Sequence, residues 1–159
     1  MIFKNYIFFN LFILSFSIII LLTVYYLEFF QGAVPCELCI YQRVPYFIVI
    51  FLAVTSLIIK KINYRKIILA SYILVFTSSL VLSAYHFGIE KNLWNSFIGC
   101  EVDFENFSNT NDLKNYLLNK EYIPCSEVSF SFLGLSLAGY NIIVSSLLLL
   151  ISLFSFKKI

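Results

Sequence analysis

Four cysteines are the residues of this chain whose type and spacing could carry chemistry. Cys36 and Cys39 form a C-x-x-C pair, and Cys100 and Cys125 follow much later in the sequence. The C-x-x-C spacing is characteristic of redox-active dithiols. A bridge that closes so short a loop gains little from loop-closure entropy. The spacing of the first pair therefore favours thiol–disulfide exchange over a structural role.

The second cysteine pair, Cys100 and Cys125, allows two interpretations. Their wide spacing favours a structural disulfide that holds a polar loop together. A bridge in such a loop is also expected to be exposed, and exposed disulfides are readily attacked by an outside thiolate. A four-cysteine zinc site is disfavoured, because such sites usually use two close C-x-x-C pairs. The cysteines thus predict two disulfides and no metal site, and a single histidine excludes a multi-histidine site.

The composition indicates what kind of structure must position these cysteines. Hydrophobic residues make up 60% of the 159 residues and charged residues only 13%, against about 45–50% and about 25% in soluble domains. This excludes a soluble enzyme, a disordered chain and a nucleic-acid binder. Four apolar runs are each near the length that spans a bilayer as a helix: about 6–27, 44–59, 67–86 and 132–156. The first run is longer than the apolar part of a signal peptide, so we expect it to remain in the mature chain.

The expected fold is therefore an all-α membrane protein, a single domain over 1–159 with four transmembrane helices in a bundle. The charges predict its orientation. Seven basic residues and no acids flank the spans at the two termini and at 60–66, whereas all nine acids lie in the other two loops or at their edges. By the positive-inside rule both termini are cytoplasmic. The loops at about 28–43 and 87–131, which hold all four cysteines, then face outward.

Three further residues could support chemistry at the cysteines. Arg43 follows Cys39 by four positions, so its charge could stabilise a thiolate on the same helix face; the alternative is an anchor to lipid headgroups. His86 lies at the outer end of the third span and could relay a proton; the alternative is an interfacial side chain that water or a backbone carbonyl satisfies. Glu90 allows the same two interpretations.

The second outer loop offers one further structural signal. Three apolar residues recur there at helical spacing, which favours a short amphipathic helix on the membrane surface, with a solvated turn as the alternative. These residues are Leu113, Tyr116 and Leu117.

Three motifs resemble the disulfide bond formation protein B (DsbB) family. The segment Pro35–Arg43 reads PCELCIYQR and is similar to the family signature C-x-L-C-x-Y-[EQ]-R. The segment Tyr85–Glu90, with Trp94 and Cys100 after it, resembles the family's approach to its second periplasmic loop. The segment Phe132–Asn141 resembles the start of the family's fourth span. The three motifs occur in the family's order, and the likeness covers the whole topology.

The resemblance implies a quinone-linked thiol oxidase of the bacterial inner membrane, which supports disulfide formation in exported proteins. Its partners would be the lipid bilayer, a membrane quinone (ubiquinone or menaquinone) and a periplasmic DsbA-like protein of thioredoxin fold, with no nucleic acid. Cys100 would form the mixed disulfide with that protein, Cys125 would pass the electrons to Cys36, and Cys39 would face the quinone as a thiolate.

Arg43 and His86 would support the quinone in this scheme. The alternatives are a vitamin K epoxide reductase-like thiol/quinone enzyme and a non-enzymatic membrane protein with structural disulfides. The C-x-x-C context, with Leu38, Tyr41 and Arg43, favours the DsbB family over the first of these.

Overall fold

The computed structural model describes residues 2–59, 62–95, 124–128 and 130–157. Cys100 and the expected amphipathic helix around Leu113, Tyr116 and Leu117 lie outside the described residues. The elements are, in chain order, α1 (Ile2–Gln31), α2 (Glu37–Tyr41), α3 (Val44–Ile58), α4 (Ile62–Glu90), the two-stranded hairpin β1 (Ser131–Phe132) and β2 (Leu135–Ser136), and α5 (Leu137–Lys157).

Four helical segments are long and apolar enough to cross a bilayer: Tyr6–Gln31, Glu37–Ile58, Tyr64–Glu90 and Leu137–Lys157. Lipid offers no hydrogen-bond partner to the backbone, so apolar segments of this length satisfy their backbone groups internally as helices. Large apolar side chains such as Phe8, Leu22 and Phe51 remain exposed on their outer faces, as expected of surfaces that contact lipid. The predicted all-α fold with four spans is confirmed, and the orientation of the termini stays a prediction.

The bundle is held by helix pairs that are distant in sequence. The contact between α4 and α5 is the most extensive, α1 packs on α3, and α3 also packs on α4. Buried polar side chains join these helices: the Asn10 amide donates to the Ala53 carbonyl at 2.9 Å, and Ser79 and Ser145 share a hydrogen bond of 2.9 Å. Small hydroxyl residues are common where helices meet in membranes, because they allow close approach and cross-helix hydrogen bonds.

Several predicted boundaries were wrong. The first and third spans continue as helix to Gln31 and Glu90, so Glu28 and Glu90, expected in or beside loops, are helical. The fourth span begins at Leu137, not at 132. Residues Leu133 and Gly134 have φ of 50° and 80°, and two successive positive φ values form the two-residue turn of a tight hairpin. Residues 131–136 therefore form a hairpin before the helix and not its first turns.

Candidate functional site

The C-x-x-C pair occupies a short helix of its own. Cys36 caps α2, with φ −83° and ψ 168°, and its Sγ accepts a hydrogen bond from the backbone N–H of Cys39 at 3.2 Å. Pro45 near the start of α3 favours a new helix there, since proline fits a first helical turn. Cys39 and Arg43, expected on one helix face, therefore do not share a helix: a turn at 42–43 separates α2 from α3.

Cys36 and Cys39 are free thiols in this structure, so the prediction of a disulfide between them is wrong for this state. The arrangement is that of a reduced exchange pair. A side-chain hydrogen bond shared with Cys39, together with burial, raises the pKa of the Cys36 thiol. Cys36 therefore keeps its proton, and when the pair carries one negative charge that charge lies on the Cys39 sulfur.

Cys125 is disulfide-bonded and has 0% of its surface exposed. It packs in one buried cluster with Cys36, Leu38 and Ile89. The expectation of an exposed bridge is therefore wrong at this end, because the segment 124–128 lies against α2 and the end of α4. Cys100 lies outside the described residues, so the pairing of Cys100 with Cys125 stays a prediction.

A cavity of about 580 Å³ opens on the other side of the C-x-x-C pair. Its walls are mostly apolar side chains of α1, of the segment 33–35 and of residues 130–144, with a few polar side chains among them. Of the cysteines that the structure describes, Cys39 is the one in its wall. Cys36 lies in the buried cluster with Cys125, and Cys39 packs against that cluster from outside its buried core. Cys39 thus borders both the cavity and the cluster, whereas Cys36 is not among the residues of the cavity wall.

Arg43 lies in the cavity wall and is only 9% exposed. One of its terminal nitrogens, Nη1, is 2.6 Å from Oε2 of Glu28, and its guanidinium carbon lies 4.9 Å from the ring centroid of Tyr25. This burial against α1 does not fit a headgroup anchor. Sequence reasoning missed Glu28, although an acid at the end of an apolar span is a signal of function.

His86 is 2% exposed and has several partners. Its Nε2 lies 3.4 Å from Sγ of Cys36, and its Nδ1 lies 2.9 Å from Nε2 of Gln42. The backbone carbonyl of Cys125 accepts a further hydrogen bond from the ring. The ring thus has the backbone partner that the interfacial interpretation expected, but it also contacts the C-x-x-C pair directly.

Glu90 is buried one helical turn after His86, with its Oε1 3.7 Å from Nε2 of the ring. Its second oxygen accepts a hydrogen bond from the hydroxyl of Ser136, which in turn accepts from the backbone N–H of Gly139 at 3.2 Å. The hairpin before α5 therefore helps to hold this carboxylate. Sequence reasoning singled out Glu90 but did not find Ser136.

Among the described residues, one group has metal-ligating atoms close together. Atoms of Cys36, Cys39 and His86 all lie within 4.8 Å of one another. Sequence reasoning weighed only a four-cysteine zinc site and did not find this mixed set. Three donors leave a tetrahedral structural zinc site one ligand short, and the absence of a metal stays a prediction.

The comparisons with known proteins agree with the motifs. The family model for disulfide bond formation protein DsbB matches residues 6–155. The chain belongs to the DsbB family. Membership makes it a membrane protein of disulfide formation and a disulfide oxidoreductase, so the resemblance drawn from the motifs is confirmed. The non-enzymatic alternative does not fit this membership.

A relative from Rickettsia prowazekii (strain Madrid E), itself an uncharacterized protein, is 29% identical to this DsbB family member over 143 residues. The alignment covers 89% of this chain and 82% of the relative. No solved structure matches the chain.

Proposed function

We propose that this protein oxidises a soluble periplasmic dithiol protein of the DsbA-like, thioredoxin-fold class and passes the electrons to a membrane quinone. The observation that carries the proposal is the division of the C-x-x-C pair. Cys39 lies in the wall of an apolar cavity, and Cys36 lies in the buried cluster that contains Cys125. One sulfur can therefore meet a lipid-soluble acceptor, and the other can meet an electron donor.

The cavity residues fit a quinone. A quinone is a flat apolar ring with two carbonyl acceptors, and a mostly apolar pocket with a few placed donors suits such a ligand. Arg43 and Gln42 offer N–H groups in the wall, and Nε of Arg43 has no hydrogen-bond partner among the described residues. The quinone would accept two electrons and two protons and leave as a quinol.

The protein's own part in the reaction is thiol–disulfide exchange, which proceeds by thiolate attack on a disulfide sulfur. The partner's dithiol reduces the Cys100–Cys125 disulfide and becomes a disulfide itself. Cys125 then attacks Cys36 of an oxidised Cys36–Cys39 pair, and Cys39 leaves as a thiolate. Cys100 closes on Cys125 and releases Cys36. The reduced C-x-x-C pair gives two electrons and two protons to the quinone and becomes a disulfide again.

The proposal also includes the place of the reaction. With both termini in the cytoplasm, as the basic clusters predict, the C-x-x-C pair lies at the outer surface of the bacterial inner membrane. Disulfides persist on that side, where the cytosolic thiol pool does not reduce them.

The decisive experiment combines purified protein, a reduced DsbA-like dithiol protein and a quinone whose absorbance is followed. We expect quinone reduction in step with oxidation of the dithiol. The Cys39→Ser variant should reduce no quinone, yet it should still form a mixed disulfide with the partner through Cys100. If Cys39→Ser oxidises the partner at the normal rate, the proposed function is wrong.

A further inference from the structure

The side chains around the reduced C-x-x-C pair form a set of metal ligands as well as an exchange site. Ligating atoms of Cys36, Cys39 and His86 all lie within 4.8 Å of one another. Nε2 of His86 is 3.4 Å from Sγ of Cys36, and the same nitrogen is 3.7 Å from Oε1 of Glu90. Two sulfurs, an imidazole nitrogen and a carboxylate oxygen thus lie in one small region.

The types and separations of these donors fit Zn²⁺. Zinc binds cysteine sulfur at about 2.3 Å and histidine nitrogen or carboxylate oxygen at about 2.0–2.2 Å, so the ligand atoms of a tetrahedral site lie about 3.3–3.8 Å apart. The sulfur–nitrogen and nitrogen–oxygen separations given above fall in this range. A shift of about 1 Å or less brings the Cys39 sulfur into it as well, because no pair in the three-residue set exceeds 4.8 Å.

The surroundings of the four donors suit a bound cation. Cys36 and His86 are 1% and 2% exposed, and two thiolates would neutralise the charge of a divalent ion, as burial of a charge requires. The second oxygen of Glu90 accepts a hydrogen bond from Ser136. Carboxylates that bind metals are commonly held by such hydrogen bonds from outside the ligand set, so the fourth ligand is already oriented.

Zinc at Nε2 imposes one change on the hydrogen bonds of the His86 ring. Coordination there leaves the ring proton on Nδ1, which must then donate to an oxygen. Gln42 faces Nδ1 with its amide nitrogen at 2.9 Å, so a half-turn of this amide brings its oxygen to that place. The Asn141 amide, which donates to the Gln42 oxygen at 3.1 Å, must turn with it. The turn is feasible because the other partners of Asn141 are the hydroxyls of Tyr46 and Ser145, and hydroxyls both donate and accept.

A metal site also requires an entry path. Cys39 lies in the wall of the cavity, which also includes the polar side chains of Glu28 and Gln31. A cation that enters the cavity therefore meets the Cys39 sulfur first. When the pair is oxidised, its two sulfurs are joined and neither is a thiolate. The ligand set is thus complete only in the reduced state.

We propose that the reduced protein binds Zn²⁺ through Cys36, Cys39 and His86, with Glu90 as the fourth ligand, and that the bound ion blocks reoxidation of the pair. Binding displaces the remaining thiol proton to water and transfers no electron. The ion is an inhibitor and has no part in the relay. Its effect on turnover rests on the proposed function, whereas the ligand set does not. The sequence did not predict this site because His86 is 50 positions from Cys36.

The ligand set is tested in the reduced Cys100→Ala/Cys125→Ala double variant, whose only thiols are those of the C-x-x-C pair. We expect one zinc ion per chain, and none after the pair has been oxidised. X-ray absorption should show two sulfur and two nitrogen or oxygen ligands. The chain contains one histidine, so imidazole nitrogen NMR reports this ring alone. Zinc should shift the Nε2 signal and leave the proton on Nδ1.

Substitutions in the same double variant identify the ligands separately. His86→Ala should weaken zinc binding at least about 100-fold and Glu90→Gln about 10–100-fold, since even partners outside a ligand set contribute about 10–100-fold. Glu37→Gln is the matched control, because this acid lies beside Cys36 in the first turn of α2 but outside the group of ligating atoms. Its zinc affinity should equal that of the double variant.

The effect on turnover is measured as a single reoxidation of the reduced double variant by quinone, without a dithiol partner that would itself bind zinc. At a zinc concentration about a hundred times the Kd, about 1% of the pair is free of metal, so the rate should fall about 100-fold. A chelator should restore the rate.

Three results would overturn the ligand set: unchanged zinc affinity in His86→Ala, ring signals that zinc does not move, or equal binding to the oxidised pair. Unchanged affinity in Glu90→Gln would refute Glu90 as the fourth ligand. Reoxidation at full rate with zinc bound would refute the inhibition. If zinc binds through these ligands but the metal-free protein reduces no quinone, the proposed function fails while the metal site stands.

Discussion

Replacing Glu28 with glutamine tests whether the ion pair with Arg43 orients the cavity. The pair joins Nη1 of Arg43 to Oε2 of Glu28 at 2.6 Å, with the two side chains 10% and 23% exposed. A charge-assisted hydrogen bond contributes about 1.5–3 kcal/mol and a neutral one about 0.5–1.5 kcal/mol. Glutamine keeps the shape and removes the charge, so at most a neutral contact remains and the loss is about 1–1.5 kcal/mol.

This loss should appear in quinone binding, because Arg43 lies in the cavity wall and Glu28 holds its guanidinium in place. At about 1.4 kcal/mol per factor of ten, the KM for quinone should rise roughly five- to tenfold. The KM for the dithiol partner should stay unchanged. The assay is quinone reduction by purified protein at saturating reduced partner, with quinone concentration varied.

Glu37→Gln is the matched control, because it removes the same charge from the start of α2, where the acid belongs to the first turn of the helix. It should leave the KM for quinone within about twofold, because Glu37 is not among the residues that line the cavity. An unchanged or lower KM in Glu28→Gln would refute the reasoning, since Arg43 would then reach its working position without the ion pair. An equal rise in both variants would point to net charge instead.

Three other substitutions give independent outcomes. Arg43→Gln should raise the KM for quinone by tenfold or more, on the order of a lost charge-assisted contact, as measured by steady-state kinetics. Gly88→Ala should displace the Trp94 ring, because the added Cβ would lie 2.0 Å from its Cζ2, and the emission of the single tryptophan should shift. Asn10→Ala should lower the unfolding free energy in detergent by about 1–3 kcal/mol, because it removes the donor to the Ala53 carbonyl and the acceptor of the buried Tyr72 hydroxyl.

Each of these outcomes has its own control. Lys157→Gln is the control for Arg43→Gln, because it also removes one positive charge, from the end of α5. It should leave the KM for quinone unchanged; if net charge governed quinone binding, the KM would rise in both variants. An unshifted emission in Gly88→Ala would show that the ring does not pack over this glycine. Thr77→Ala removes an exposed hydroxyl that bonds within its own helix; a cost equal to that of Asn10→Ala would contradict the burial argument.

The four spans were predictable because apolar run length is a local property of the sequence. The residues at which the spans begin and end were not predictable. Hydropathy does not separate the apolar hairpin at 131–136 from the start of α5, because a positive φ at Leu133 is a feature of the folded backbone. Likewise, the charged residues Glu28 and Glu90 were expected outside the apolar helices, but both are helical. Their contacts with Arg43 and Ser136 hold the two carboxylates inside the protein.

In the candidate site, too, local features were predictable from the sequence and contacts between distant residues were not. The cysteines and Arg43 follow from type and spacing, which act over a few residues. The partners of His86 do not, since Gln42 is 44 positions from His86 in sequence, and Asn141, which bonds to Gln42, is 99 positions from Gln42. Such contacts arise from how α5 packs on α4, which no local pattern encodes.

The burial of Cys36 and Cys125 determines the order of the thiol exchanges in the proposed relay. Cys36 is 1% exposed and Cys125 is 0% exposed, so a thiolate on a soluble protein cannot reach either sulfur without local opening. A donor from outside must therefore attack the other sulfur of the Cys125 disulfide, which we predict to be Cys100. Cys125, once released, already shares a cluster with Cys36. The same burial keeps outside thiols away from Cys36, so electrons reach the Cys39 thiolate through the relay and leave it on the side of the cavity.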